Sequence, residues 1–196
     1  TRWMISAVAR VMRPGCQADC MLILEGRQGR RKSTGLEALA SSVWYCDTPL
    51  DIRDKDAMQC LRGKWIVEMS ELDAFRGREL TRIKAFVGER TDTFRASYDR
   101  SVRDYPRQCV LAGTTNERHY LHDPTGARRF WCARVERDVD TAAISTDRAH
   151  LWAEAVARYD SSETWFLDTS ALERVAEEEA AERTAEDPWR AVLATW

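Results

Sequence analysis

The sequence predicts an α/β fold in which a mostly parallel sheet is flanked by helices and followed by a small helical C-terminal extension. Three observations carry that expectation. Short apolar runs alternate with stretches of helical periodicity, the pattern of strands joined by helical crossovers. A glycine-bearing loop joins the first apolar run to a helical stretch. From about Asp138 onward only helical spacing recurs, and the chain becomes acidic and alanine-rich.

Taken in order, Trp3, Met4, Ala7, Val8 and Val11 lie at helical spacing until Pro14 and Gly15 interrupt it, predicting an amphipathic helix ahead of the first strand. Residues 21–24 form a continuous apolar run of the kind buried on both sheet faces, and residues 34–43 follow as a helix through Leu36, Leu39 and Ala40. Further strands are expected at 65–69, 108–112 and 130–135, with helices at 54–61 and 78–87 between them. Residues 146–159 read as a helix, and Ser170-x-x-Glu173 reads as the capping box of a last, acidic one. The expected division is a sheet-bearing domain at 1–137 and a helical extension at 138–196. Trp44, Trp65, Trp131, Trp152 and Trp165 sit within apolar patterns and are expected to pack rather than to hold a ligand.

Composition narrows the class. The apolar fraction of 44% is that of a globular chain. No run of about eighteen apolar residues could span a bilayer, and the first residues do not read as a secretory signal, so a soluble, cytoplasmic protein is expected. Six scattered cysteines without a CxxC pair, beside three histidines, argue for reduced structural thiols and against a zinc knuckle or a disulfide framework. The net charge of −2 hides an asymmetry. Residues 1–137 carry 25 Lys and Arg against 18 Asp and Glu, and the remainder 5 against 14, so only the first part suits a polyanion.

The chemistry concentrates in the loop Gly26-Arg27-Gln28-Gly29-Arg30-Arg31-Lys32-Ser33-Thr34, which follows a strand and opens a helix. That is the context of a phosphate loop, where backbone amides and a helix N-terminus cradle phosphate. Lys32 would place a point charge on the outer phosphates of ATP, and the Ser33 hydroxyl would ligate Mg²⁺. One departure stands out: Arg31 occupies the position before the lysine where glycine is usual. Ligand-facing residues of a parallel sheet lie beyond the strand carboxyl ends, so Glu68 and Glu71 compete for the metal-holding and water-activating roles, with Glu71 favoured for catalysis and Asp73 in reserve. The next strand ends in Gly113-Thr114-Thr115-Asn116, where the neutral Asn116 amide can sense a γ-phosphate or the attacking water.

These motifs, together with Gly63-Lys64-Trp65-Ile66-Val67-Glu68 and Asp123-Pro124-Thr125-Gly126-Ala127-Arg128-Arg129-Phe130-Trp131, resemble the virulence-associated protein E family over almost the whole chain. That family, found in phages and mobile islands, resembles superfamily 3 helicases of the AAA+ class and is often fused to a primase. The resemblance implies a P-loop NTPase fold of AAA+ type, ATP and Mg²⁺ as ligands, and a homo-oligomeric ring acting as a replication helicase on single-stranded or forked DNA. Arg128 or Arg129 would then be the arginine finger that a neighbouring subunit offers to the transferring phosphoryl group.

Between Arg76 and Arg107 the chain carries nine basic residues interleaved with Phe86, Phe94, Tyr98 and Tyr105, a mixture able to contact phosphates and stack bases. In superfamily 3 helicases a hairpin before the sensor strand faces the pore, and residues 91–107 occupy that interval. Arg95, Arg100 and Arg103 are the expected nucleic-acid contacts. Interspersed Glu89, Asp92, Asp99 and Asp104 leave a salt-bridged loop as the competing reading. Two other functions compete with a motor: a P-loop phosphotransferase on a small acceptor, and a nucleotide-binding scaffold that hydrolyses poorly.

Overall fold

The computed structural model describes residues 1–47, 55–70, 78–97, 100–121 and 127–184. Five strands, β1 (Met21–Glu25), β2 (Tyr45–Cys46), β3 (Ile66–Met69), β6 (Val110–Thr115) and β7 (Phe130–Arg134), form one sheet in the order β2-β3-β6-β1-β7. Every pairing in it is parallel. β4 (Thr91–Phe94) and β5 (Arg103–Pro106) make a separate antiparallel hairpin. The helices are α1 (Arg2–Met12), α2 (Lys32–Ala40), α3 (Lys55–Cys60), α4 (Arg78–Gly88), α5 (Thr141–Asp160) and α6 (Ser170–Glu182).

Strand parity assigns the two faces. Met21, Ile23, Val67, Met69 and Leu111 point to one side, where they meet Ile83, Phe86 and Val87 of α4 and Ala180 of α6. Leu22, Leu24, Ile66, Val110 and Ala112 point to the other, against Trp3 and Ala7 of α1, Leu36 and Ala40 of α2 and Trp152 of α5. Both faces are covered, which is why these strands read as continuous apolar runs. α5 is held by stacking of Trp152 on Trp65 at 3.9 Å and by the Trp152 indole N–H donating to the Leu39 carbonyl at 2.9 Å.

Several expected boundaries move. β6 runs on to Thr115 because its pairing with β1 continues through Leu24↔Thr114 and Glu25↔Thr115. α5 starts five residues early, at Thr141, because the Asp140 carboxylate accepts from the Ala143 N–H at 2.9 Å and caps it. The last helix is capped by Thr169, whose hydroxyl accepts from Leu172 N–H, so Ser170 is its first residue and not its cap. Val11 and Trp44 are about half exposed, at 45% and 50%: the first falls off the buried face of α1, and the second lies in the turn before β2.

The hairpin is anchored by a buried arginine. The Arg107 guanidinium is ion-paired with Asp92 and lies 3.0 Å from Glu89, donates to the Phe86 carbonyl at 2.6 Å and sits over the Phe86 ring. Phe94 is buried and stacked on Tyr105. Arg107, Lys84 and Phe94 are therefore removed from the exposed basic and aromatic mixture expected to meet DNA, because each is buried.

Candidate functional site

The loop after β1 is shaped by close backbone approach. Val135 N–H donates to the Glu25 carbonyl at 2.7 Å, Gly26 N–H donates to the Thr115 carbonyl at 3.2 Å, and a Cβ on Gly26 would lie 2.5 Å from the Val135 carbonyl oxygen. No larger residue fits between β1 and the end of β7. Gly29 has φ 84, and Arg31, the residue capping the N-terminus of α2, has φ 56 and ψ 32. The left-handed conformation that glycine normally supplies before the lysine is thus kept here by an arginine, at a cost of about 1–2 kcal/mol for an L-residue. Arg31 and Arg27 are exposed, whereas Arg30 pairs with Asp138 at 2.7 Å.

Lys32 is buried, and its ammonium donates to the carbonyls of Gly26 (2.6 Å) and Arg27 (3.1 Å) and to Asn116 Oδ1 (3.0 Å). It therefore bridges the loop to the end of β6. Ser33 Oγ donates to Glu68 Oε1 at 2.7 Å, as does Thr114 Oγ1 at 2.7 Å, while the Tyr45 hydroxyl donates to Glu68 Oε2. Glu68 is 1% exposed. Parity explains the convergence: Tyr45, Glu68 and Thr114 lie on the sheet face that meets α2, on three adjacent strands, with Glu68 and Thr114 toward the carboxyl ends of theirs and Tyr45 level with Ile66. Burial, and then the hydrogen bond to Glu68, push the Tyr45 hydroxyl pKa well up, so it stays protonated and donating.

A cleft of ≈ 380 Å³ opens over this cluster, lined by residues 28–34, Ser70 and residues 114–116. Among the described residues no three His, Cys, Asp or Glu side chains gather as a metal cage. One carboxylate with neighbouring hydroxyls is nevertheless an all-oxygen set, suited to a hard cation that keeps waters and shares a ligand with phosphate, as Mg²⁺ does.

On the opposite sheet face Glu25 is also buried, paired with Arg183 and accepting from the Tyr120 hydroxyl at 2.7 Å, which itself lies 3.0 Å from Cys132 Sγ. Burial raises both Tyr120 and Cys132, the thiol to about 12. For Arg183, just past α6, burial lowers the pKa, but the hydrogen bonds to Glu25 and Glu179 and the nearby negative charge together outweigh it and hold the guanidinium above its ordinary value. This group ties α6 to the residue that precedes Gly26.

Of the expected site residues, Gly26, Arg27, Gln28, Gly29, Arg30, Arg31, Lys32, Ser33 and Thr34 surround one end of the sheet with Glu68 and Asn116. Glu71 and Asp73 lie outside the described residues, as do Arg76, Tyr98 and Asp99. Arg128 and Arg129 immediately precede β7, so they stand at the opposite, amino-terminal end of the parallel sheet and cannot meet the loop of their own chain. Arg128 pairs with Glu173 at 2.7 Å, and Arg129 Nε is buried without a hydrogen-bond partner. Arg95, Arg100 and Arg103 are exposed on the hairpin or beside it. Sequence reasoning missed Tyr45 and the Glu25–Arg183 pair; for Tyr45 the one available signal was its place in a short apolar run of strand length.

The sequence profile of the virulence-associated protein E-like domain matches residues 1–185. No curated protein matches the chain. Among solved structures the chain is similar to the apo C-terminal region of NrS-1, residues 305–718, with TM-score 0.61 at 15% identity, covering 98% of this chain and 49% of that one. Two A-form apo structures of the NrS-1 C-terminal region match with TM-scores 0.53 and 0.55 at 12% and 15% identity, each covering 98% of this chain. The chain spans about half the length of these NrS-1 chains, 46% and 48% for the latter two. On the profile match, which covers nearly all of its length, the chain belongs to the virulence-associated protein E-like domain family.

Proposed function

We propose that this chain is the ATP-binding and hydrolysing segment, with a P-loop NTPase fold of AAA+ type, of a phage or mobile-element DNA-replication protein, working as a ring-forming helicase motor on single-stranded DNA. The observation that supports it most is the convergence of Lys32, Ser33 and Asn116 on one cleft at the strand carboxyl ends, where a loop opens a helix, with the buried Glu68 held against Ser33.

Each side chain has a role that follows from its contacts. The amides and partial positive charge at the start of α2 favour a triphosphate over the loop. Lys32 exchanges its hold on the Gly26 and Arg27 carbonyls for phosphate oxygens, and Asn116 keeps its amide between the lysine and the attacking water. Ser33 and Glu68 would hold Mg²⁺, which when bound neutralises charge developing on the transferring phosphoryl group. Glu71, two residues beyond β3 in the sequence, would orient the water. The exposed Arg95, Arg100 and Arg103 near the other end of the sheet meet DNA phosphates.

The test is ATP turnover by the chain with and without single-stranded DNA. Stimulation by DNA is expected. Turnover that ignores DNA but transfers phosphate to a small acceptor would establish a phosphotransferase, and nucleotide binding without turnover would establish a scaffold.

A further inference from the structure

Glu68 is buried beside the loop serine, yet its two oxygens are held differently. Oε1 faces the Ser33 and Thr114 hydroxyls at 2.7 Å each, on the side that opens to the cleft; Oε2 is held from behind by Tyr45. The Tyr45 ring is packed among Leu36, Ala40 and Ile66, so its hydroxyl comes from a fixed position on β2 and not from a mobile side chain. A carboxylate clamped in this way cannot turn both oxygens toward a cation seated at Ser33. Mg²⁺ is content with one carboxylate oxygen or a water-mediated contact and demands octahedral geometry, whereas Ca²⁺ gains from bidentate carboxylates and a larger, looser shell.

We propose that Tyr45 is the cation-specificity residue of the site: by holding Glu68 Oε2 it limits the carboxylate to one available oxygen and so selects Mg²⁺ over Ca²⁺ as the nucleotide's cation. This rests on the reading of the cleft as a nucleotide site. Tyr45 acts through Glu68 and is a positioning residue. Its ring also fills core space, so the discriminating change removes the oxygen alone, Tyr45→Phe.

The experiment measures equilibrium binding of a non-hydrolysable ATP analogue to the intact chain by calorimetry, with Mg²⁺ and with Ca²⁺, in wild type and Tyr45→Phe. Wild type is expected to bind more tightly with Mg²⁺. In Tyr45→Phe the ratio of the Ca²⁺ to the Mg²⁺ dissociation constant should fall by about tenfold, with most of the change in the Ca²⁺ arm, because the freed Oε2 lets the carboxylate bind Ca²⁺ through both oxygens. A merely structural role would weaken both arms alike and leave the ratio unmoved, which overturns the proposal while leaving the nucleotide site standing. Absence of analogue binding to folded wild type with either cation overturns the nucleotide reading itself. Should Tyr45→Phe fail to fold, wild type decides: equal affinity with Mg²⁺ and Ca²⁺ overturns the proposal.

Discussion

Arg31 shows how a single residue can occupy a position against its own preference. Its φ of 56 is the conformation the loop requires before the lysine, and only glycine adopts it without strain. Arg31→Gly should therefore leave the fold intact and raise stability by about 0.5 kcal/mol, relief of strain being partly offset by the freer unfolded chain. A thermal melt reads this; a marked loss of stability would show that the arginine side chain contributes contacts that outweigh its backbone strain. Glu71 and Glu68 separate by substitution. Glu71→Gln is expected to bind ATP and lose hydrolysis, because the amide keeps shape but not basicity. Glu68→Gln should weaken nucleotide binding with Mg²⁺, since an amide cannot accept from the Ser33, Thr114 and Tyr45 hydroxyls on both of its ends. Binding and turnover measured on both variants decide the roles, and the reverse outcome exchanges them.

At the scale of elements, the hairpin and α4 are held together by one buried charge. Removing Arg107 leaves Asp92, 5% exposed, without its guanidinium partner. Arg107→Ala should cost about 3–5 kcal/mol, the penalty of an uncompensated buried charge, read as a lower denaturant midpoint. Arg10 adds a second buried guanidinium beneath the hairpin, donating to the carbonyls of Ala18 and Glu89. The strands also determine thiol reactivity. Burial pushes Cys20 and Cys132 up to about 12 and Cys109 up to about 11, so at pH 8 all three remain thiols; Cys20 and Cys109 are also shielded, and Cys132 is partly so. Cys60, at the end of α3, is exposed. Iodoacetamide at pH 8 is expected to modify Cys60 first and the others only as the chain unfolds. Rapid labelling of Cys20 or Cys109 in the native protein, seen by mass spectrometry, would contradict this packing.

For the whole molecule, the parallel sheet sets the loop and Arg128–Arg129 at opposite ends, so a finger must serve a neighbouring copy or none. Arg128→Ala or Arg129→Ala should keep ATP affinity and lose turnover. Mixing that variant with Lys32→Ala should restore part of the activity, because an intact finger can then sit beside an intact loop. No recovery, at concentrations where wild type is oligomeric, would assign these arginines to DNA or to structure. In the isolated chain Arg128 is engaged by Glu173 of α6, and the same helix ends at Arg183 on Glu25, one residue before the loop. α6 thus links both ends of the sheet within one chain.

The amino-acid sequence by itself determined the alternation of strands and helices, a spacing of Gly26, Lys32 and Ser33 that resembles a phosphate loop, and the strand-end positions of Glu68 and Asn116. Those signals are local: periodicity, glycine placement and the residue types that phosphate chemistry requires. Periodicity did not mark β4 or β5: only the resemblance to superfamily 3 helicases implied a hairpin within residues 91–107, where the two strands pair. Only the tertiary structure decided the strand order β2-β3-β6-β1-β7, because pairing between distant segments leaves no mark on local periodicity. That order brings Tyr45 and Thr114, 69 positions apart by their numbers, to one carboxylate. It also sorted the arginines: Arg107 and Arg95 look alike in sequence, but one is buried against Asp92 and the other faces solvent, since burial depends on which element closes over the side chain.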